Sequence, residues 1–156
     1  MALVFGDKSL QTGPTLFTPL LKWVNFKVTN AKILYQPGVF GGDGTELRVN
    51  ICIQSHDGEE QIRLYERSLT GNVCSCIKEG HIKSKMSWDR VRFFDIAGKA
   101  VDRPDRLAGY KVNLVFLIKG KWSAMGQTGL CLEVSDIQLV EEQEPQEFSP
   151  FEDLTM

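Results

Sequence analysis

The chain has 156 residues, of which 42% are hydrophobic, and a formal net charge of −2. This length suits one domain with a core, and the chain has no apolar run of the roughly 18 residues that a transmembrane helix needs. Charged residues, Gly and Pro interrupt residues 1–20, so no signal peptide is supported, and we expect a soluble protein inside the cell, in the cytoplasm or nucleus of its host.

The charge is unevenly distributed. Residues 141–156 hold six acidic residues and no Lys or Arg, which leaves 18 basic against 14 acidic residues, or about +4, in residues 1–140. We therefore expect a mildly basic domain over residues 1–140 and a flexible acidic tail over residues 141–156.

Apolar and polar residues alternate in seven segments, which predicts strands over 21–28, 31–35, 46–54, 61–66, 91–96, 110–119 and 130–140. The Asp57-Gly58 pair is typical of a tight hairpin, so 46–54 and 61–66 are predicted to pair. The weakly patterned interval 69–89 is predicted as a short helix or a long loop. Short strands separated by turns predict an all-β, OB-fold-like five-stranded barrel with extra hairpins.

The four cysteines, Cys52, Cys74, Cys76 and Cys131, are interpreted as thiols because no secretory signal accompanies them. Cys74 and Cys76 with His56 or His81 allow a zinc alternative, although structural zinc sites usually have a wider Cys pair and a second matching pair. We expect no metal and no cofactor.

The sequence lacks the common signatures of catalysis. The sequence contains no phosphate-binding loop, dinucleotide fingerprint or nucleophile elbow, and its two histidines belong to no acid-base or metal signature. We therefore expect that the protein is not an enzyme.

Aromatic residues alternate with Lys and Arg in three places. Trp23 lies between two lysines, and Trp88, Arg90, Arg92 and Phe94 would share one strand face. In the third place, Lys119, Lys121 and Trp122 would form a basic aromatic hairpin tip. The predicted nucleic-acid-binding residues are Trp23, Trp88, Arg90, Arg92, Phe94, Lys111, Lys119, Lys121 and Trp122, with bases stacked on the rings and phosphates neutralised by the cations.

The tail ends in apolar residues spaced along an acidic segment, which is typical of a docking peptide. The predicted partner-binding residues are Phe148, Phe151, Leu154 and Met156.

The segment from Gly109 onward leads through Lys119-Gly120-Lys121-Trp122 into a last strand, Gly129-Leu130-Cys131-Leu132-Glu133-Val134-Ser135-Asp136-Ile137-Gln138-Leu139. This pattern resembles the final hairpin of viral and bacteriophage OB-fold single-stranded DNA-binding proteins. The resemblance implies a role in DNA replication, recombination or repair, with a tail that recruits partner proteins and competes for the DNA groove. The tail departs from the bacterial type because its aromatic residue is not terminal.

The leading hypothesis is a sequence-tolerant single-stranded DNA-binding protein, with RNA not excluded as a ligand and homo-oligomers left open. The alternative is a β-sandwich structural or protein-interaction module whose aromatic residues fill the core. A nuclease would need clustered carboxylates for metal ions, and no spacing in the sequence indicates them.

Overall fold

The computed structural model describes residues 3–140, apart from the side chain of Thr12. Ten strands and one helix follow in chain order: β1 Leu10–Thr12, β2 Thr15–Ile33, β3 Arg48–Gln54, α1 His56–Glu66, β4 Asn72–Val73, β5 Ile77–Lys78, β6 His81–Ser87, β7 Arg92–Phe94, β8 Ala100–Val101, β9 Lys111–Ala124 and β10 Gln127–Leu139. The tail, residues 141–156, lies outside the described residues, and with it the predicted partner-binding residues.

Five of the strands close into a ring. Antiparallel pairing joins β10 to β9, β9 to β2, β2 to β3 and β3 to β6, and parallel pairing of β6 with β10 completes the circle. The all-β, OB-fold-like prediction is confirmed, with a ring of five strands in place of the two packed sheets of the sandwich alternative.

Alternation of buried and half-buried residues along β9 shows that the core lies inside this ring. On β9, Val112, Leu114, Phe116 and Ile118 are buried, while the residues between them are half-buried on the outer surface. Burial of apolar area of this kind is the main stabilising contribution to a fold. The ring is therefore filled mainly by aliphatic and Phe side chains, and most of its polar residues are directed outward.

The predicted strand at 61–66 is wrong, because residues 56–66 form α1. The Ser55 side chain accepts a hydrogen bond from the Gly58 N–H at 3.0 Å, an N-cap contact that starts a helix. Ile62 and Tyr65 are buried on one helical face, and the Tyr65 ring lies 5.2 Å from that of Phe26. The Asp-Gly pair therefore belongs to the first turn of a helix and not to a hairpin.

The interval 69–89 also differs from its prediction, since it contains β4, β5 and β6. Ile82, Ser84 and Met86 alternate inward along β6. Ser84 occupies a core position because its hydroxyl donates to the carbonyl oxygen of Leu132 at 3.1 Å. A polar residue on the inner face weakened the alternation from which a strand would have been predicted.

The predicted strands 21–28 and 31–35 are parts of β2, which ends at Ile33 and has a register shift between Val28 and Ala31. Asn30 has a φ of 54° at this bulge. In the described part of the chain, no helix has the length and apolar character needed to cross a membrane.

A substitution at Gly120 tests how closely β9 approaches β2. A Cβ at Gly120 would meet the carbonyl oxygen of Thr18 and lie 2.8 Å from the Cα of Pro19. We expect Gly120→Ala to lower the free energy of unfolding by about 1–3 kcal/mol, the usual cost of overpacking, measured by urea titration. Gly38→Ala is the control, because a Cβ there meets nothing within 4 Å; equal stability of the two variants would contradict the close approach.

Candidate nucleic-acid interface

A large cleft lies on the outer surface of β3 and β6, with a volume of about 950 Å³. The loop 34–47 forms one of its sides and the β9–β10 hairpin another. We call it the main cleft; its aromatic residues are Tyr35, Phe40 and Trp122, and its Lys and Arg residues are Arg48, Lys78, Lys83 and Lys85. Among the described residues that line it, Glu79 is the one acid, so the cleft is positively charged.

Phe40 projects from the loop 34–47 into solvent and is fully exposed. Two backbone hydrogen bonds between Gly38 and Asn50 fasten the base of this loop to β3. The Glu46 carboxylate accepts from the N–H groups of Asp43 and Gly44 at 3.0 and 3.1 Å and so folds the tip. The loop therefore holds the Phe40 ring outward on a hydrogen-bonded support.

Trp122, near the end of β9, also lines the cleft. It is the register partner of Gly129 on β10, and a Cβ at Gly129 would come within 2.6 Å of the indole Nε1. The absence of a side chain at Gly129 lets the indole lie against the strand backbone, which fixes its position.

Cations crowd the floor of the cleft. Burial, and secondarily the charge of Arg48, lower the pKa of Lys85 from its usual value. The Lys85 ammonium also donates a hydrogen bond to the side-chain oxygen of Asn50 on the neighbouring strand. An anion bound here would offset both unfavourable effects on the charged amine.

The sequence-predicted residues fall in several places. Trp122 lines the main cleft, whereas Trp23, Arg90, Arg92 and Lys119 line a separate groove of about 330 Å³ over β2, β9 and β10, which we call the β2–β9 groove. Phe94 lines an adjoining recess of about 290 Å³ that shares Arg92 with the groove.

Three other predicted residues lie apart from these surfaces. The Trp88 ring is half-buried under the Arg103 guanidinium, 4.2 Å from its centroid, and Lys121 lies over the Phe5 ring at 4.5 Å. Lys111 is exposed at the start of β9, far along that strand from Lys121. The predicted single face for Trp88, Arg90, Arg92 and Phe94 is wrong, because residues 88–90 form a turn and β7 starts only at Arg92.

Glu133 on β10 is a nearly buried carboxylate with three cationic neighbours. Its Oε1 accepts from Lys119 at 3.0 Å, Arg48 at 3.3 Å and Arg90 at 3.4 Å. A second pair, Arg92 with Asp136 at 2.7 Å, lies farther along the groove. Because one carboxylate is shared by three cations, the region around Glu133 remains positively charged.

All four cysteines line the main cleft and none forms a disulfide. Burial raises the pKa of the Cys76 thiol to about 12 and that of Cys131 to about 11, so both keep their protons at neutral pH. His81 also lines the cleft, but His56 lies at the start of α1 beside Glu60. Within residues 3–140, no group of three or more His, Cys, Asp or Glu is arranged to hold a metal ion.

Sequence reasoning missed most of the main cleft, namely Tyr35, Phe40, Arg48, Lys78, Lys83 and Lys85. The signal was present in the alternation of Lys83 and Lys85 with Ile82 and Ser84, which places both ammonium groups on the outer face. It was overlooked because this segment was predicted as a helix or loop.

No protein-family model and no curated protein matches the chain, whereas several solved structures are similar to it. The single-stranded DNA-binding protein of bacteriophage Enc34, in complex with single-stranded DNA, superposes with a TM-score of 0.56 at 18% identity, over 92% of this chain and 98% of that one. A C-terminally truncated form of the same phage protein superposes with a TM-score of 0.56 at 17% identity, over 93% of this chain and 98% of that one. Bacteriophage T7 gp2.5, also a single-stranded DNA-binding protein, has a TM-score of 0.45 at 16% identity, over 79% of this chain and 96% of that one. The chain shares the fold of the Enc34 protein.

The ion cluster predicts a specific effect of Glu133→Gln. The amide keeps the shape of the side chain but loses charge-assisted hydrogen bonds to Lys119, Arg48 and Arg90, so we expect a loss of about 1–3 kcal/mol in the free energy of unfolding, measured by urea titration. Asp105→Asn removes the same charge at an exposed position and serves as the control. Unchanged stability in Glu133→Gln would show that the cluster contributes nothing.

Proposed function

We propose that this protein binds single-stranded DNA in the main cleft with little sequence preference and has no catalytic activity of its own. The observation that carries the proposal is the combination of three aromatic rings with four Lys and Arg side chains in one cleft. Aromatic platforms beside a cationic groove are the common means of holding single strands, because every base has a face to stack and every nucleotide a phosphate.

The position of the cleft supports the same ligand. OB folds bind oligonucleotides on the face of their second and third strands and on the flanking loops. Counted around the ring in chain order, the second and third strands are β3 and β6, and the flanking connections are the loop 34–47 and the β9–β10 hairpin. The Enc34 protein, which has this fold, is described in complex with single-stranded DNA.

In the proposed complex, bases stack on Trp122, Phe40 and Tyr35. The side chains of Arg48, Lys78, Lys83 and Lys85 neutralise phosphates. Stacking and phosphate contacts do not read base edges, which accounts for the sequence tolerance, and the same contacts would accept RNA. Such a protein would act inside the host cell in DNA replication, recombination or repair.

The acidic tail is proposed to act in two ways. Its six carboxylates would compete with DNA for the main cleft, and Phe148, Phe151, Leu154 and Met156 would dock replication or recombination proteins. The two roles are compatible, because DNA that fills the cleft would release the tail for partners.

The first test is a titration of the full chain with an oligothymidylate of about 15 nucleotides, within the site sizes of about 4–16 that OB folds show. We expect quenching of Trp fluorescence and a steep fall in affinity between about 50 and 200 mM salt, because bound phosphates release counterions. Phe40→Ala should weaken binding by about 1–3 kcal/mol without changing stability, since its ring is fully exposed.

Leu64→Ala on the exposed side of α1 is the matched control for Phe40→Ala. Lys83→Gln should reduce the slope of log affinity against log salt by about 0.7, the value for one phosphate contact on a single strand. Affinity that does not depend on salt, or equal affinity of the Phe40 and Leu64 variants, would contradict binding in the main cleft.

Removal of residues 141–156 tests the tail. We expect the shortened protein to bind oligothymidylate more tightly at low salt, because six competing acids are gone, and we expect the difference to vanish at high salt, where charges are screened. Binding that is unchanged or weaker at low salt would rule out competition by the tail.

A further inference from the structure

The main cleft and the β2–β9 groove lie on one continuous outer surface. A single row of register partners runs around the ring from Asn50 to Lys85, Glu133, Leu117 and Asn25. Asn50 and Lys85 line the main cleft, whereas Glu133, Leu117 and Asn25 line the groove. The two depressions are therefore neighbours across the junction of β6 and β10.

The ridge between them is cationic. Arg48 belongs to the lining of the main cleft and Arg90 to that of the groove, and both bind the same Glu133 carboxylate. Each of these arginine side chains remains 56% exposed despite that bond, whereas the carboxylate side chain is only 6% exposed. A polyanion crossing the ridge would meet guanidinium groups from both sides and little of the acid.

The groove beyond the ridge repeats the chemistry of the main cleft. Trp23 is 53% exposed, and the Lys119 ammonium lies 4.8 Å from the centroid of its ring. The groove and the adjoining recess together have more cations than carboxylates in their lining. The cations are Lys27, Arg90, Arg92 and Lys119, and the carboxylates are Glu133 and Asp136. A large ring exposed among excess cations suits a stacked base with its phosphates alongside.

We propose that the β2–β9 groove is a second subsite for the same single strand, which leaves the main cleft over the Glu133 ridge and stacks a base on Trp23. This proposal rests on the proposed function. Four strand-to-strand steps of about 4.8 Å separate Asn50 from Asn25, so the path is at least about 19 Å long. A short oligonucleotide fills the main cleft alone, and a longer one reaches both subsites.

The test compares oligothymidylates of about 5 and about 15 nucleotides, the two ends of the usual range for one OB fold, on the full chain. Trp23→Ala should weaken binding of the longer strand at least about 5-fold, the equivalent of about 1 kcal/mol, and leave the shorter strand unaffected. Trp23→Phe, which keeps a stacking face, should restore most of the affinity. Leu64→Ala is the control for loss of an exposed apolar side chain.

The outcomes separate this proposal from the proposed function. If neither oligonucleotide binds the unmodified protein, the proposed function fails and the second subsite fails with it. If both bind but Trp23→Ala changes neither affinity, or weakens both equally, the second subsite alone is overturned. A change in oligomeric state on Trp23→Ala with unchanged DNA affinity would also overturn it, and would identify the groove as a contact between copies of the chain.

Discussion

The parallel junction of β6 with β10 is the contact on which the rest of the structure depends. Its ladder has only two residue pairs, Glu133 with Lys85 and Val134 with Met86. Side-chain bonds across the junction reinforce this short ladder: the Ser84 hydroxyl donates to the carbonyl oxygen of Leu132, and the Glu133 carboxylate of β10 binds Arg48 of β3. Without this closure the five strands would form an open sheet, and the edges of β6 and β10 would be unpaired.

Ring closure also determines where polar chemistry can be placed. The interior is filled by side chains such as Phe116, Ile118 and Ile137, so cations and unpacked rings must lie on the exterior. The two exterior depressions differ in how their charges are balanced. In the β2–β9 groove, carboxylates already pair with Arg92, Arg90 and Lys119, whereas the Lys and Arg side chains of the main cleft greatly outnumber its acid. The main cleft is therefore the stronger attractor for a polyanion, and the groove is suited to extend a contact that is already made.

Several features of the site follow from local physical chemistry of the sequence. Alternation along 110–119 and 130–140 placed the long strands correctly, because a residue's face on a strand depends only on the period of two. The position of Trp122 on the last hairpin follows for the same reason, but Lys119 and Lys121, which were predicted to act beside it, lie on other surfaces. Helix α1 was missed because an Asp-Gly pair occurs both in hairpin turns and in the first turn of a helix. The choice between them depends on the packing of Ile62 and Tyr65 against the core of the five-stranded ring.

The sequence by itself determined an all-β domain, the composition of its core, the acidic composition of residues 141–156 and an excess of aromatic and cationic residues on the outer faces of strands. Only the tertiary structure decided which of these residues meet. Phe40 lies 82 positions before Trp122 in the chain, yet both line one cleft, and Arg48 and Arg90 share a carboxylate through Glu133. Such contacts depend on strand order and on which strands close the ring, because these bring distant segments together. Strand order is set by many packing contacts between distant segments, whereas a local sequence pattern indicates only which face of a strand each side chain takes.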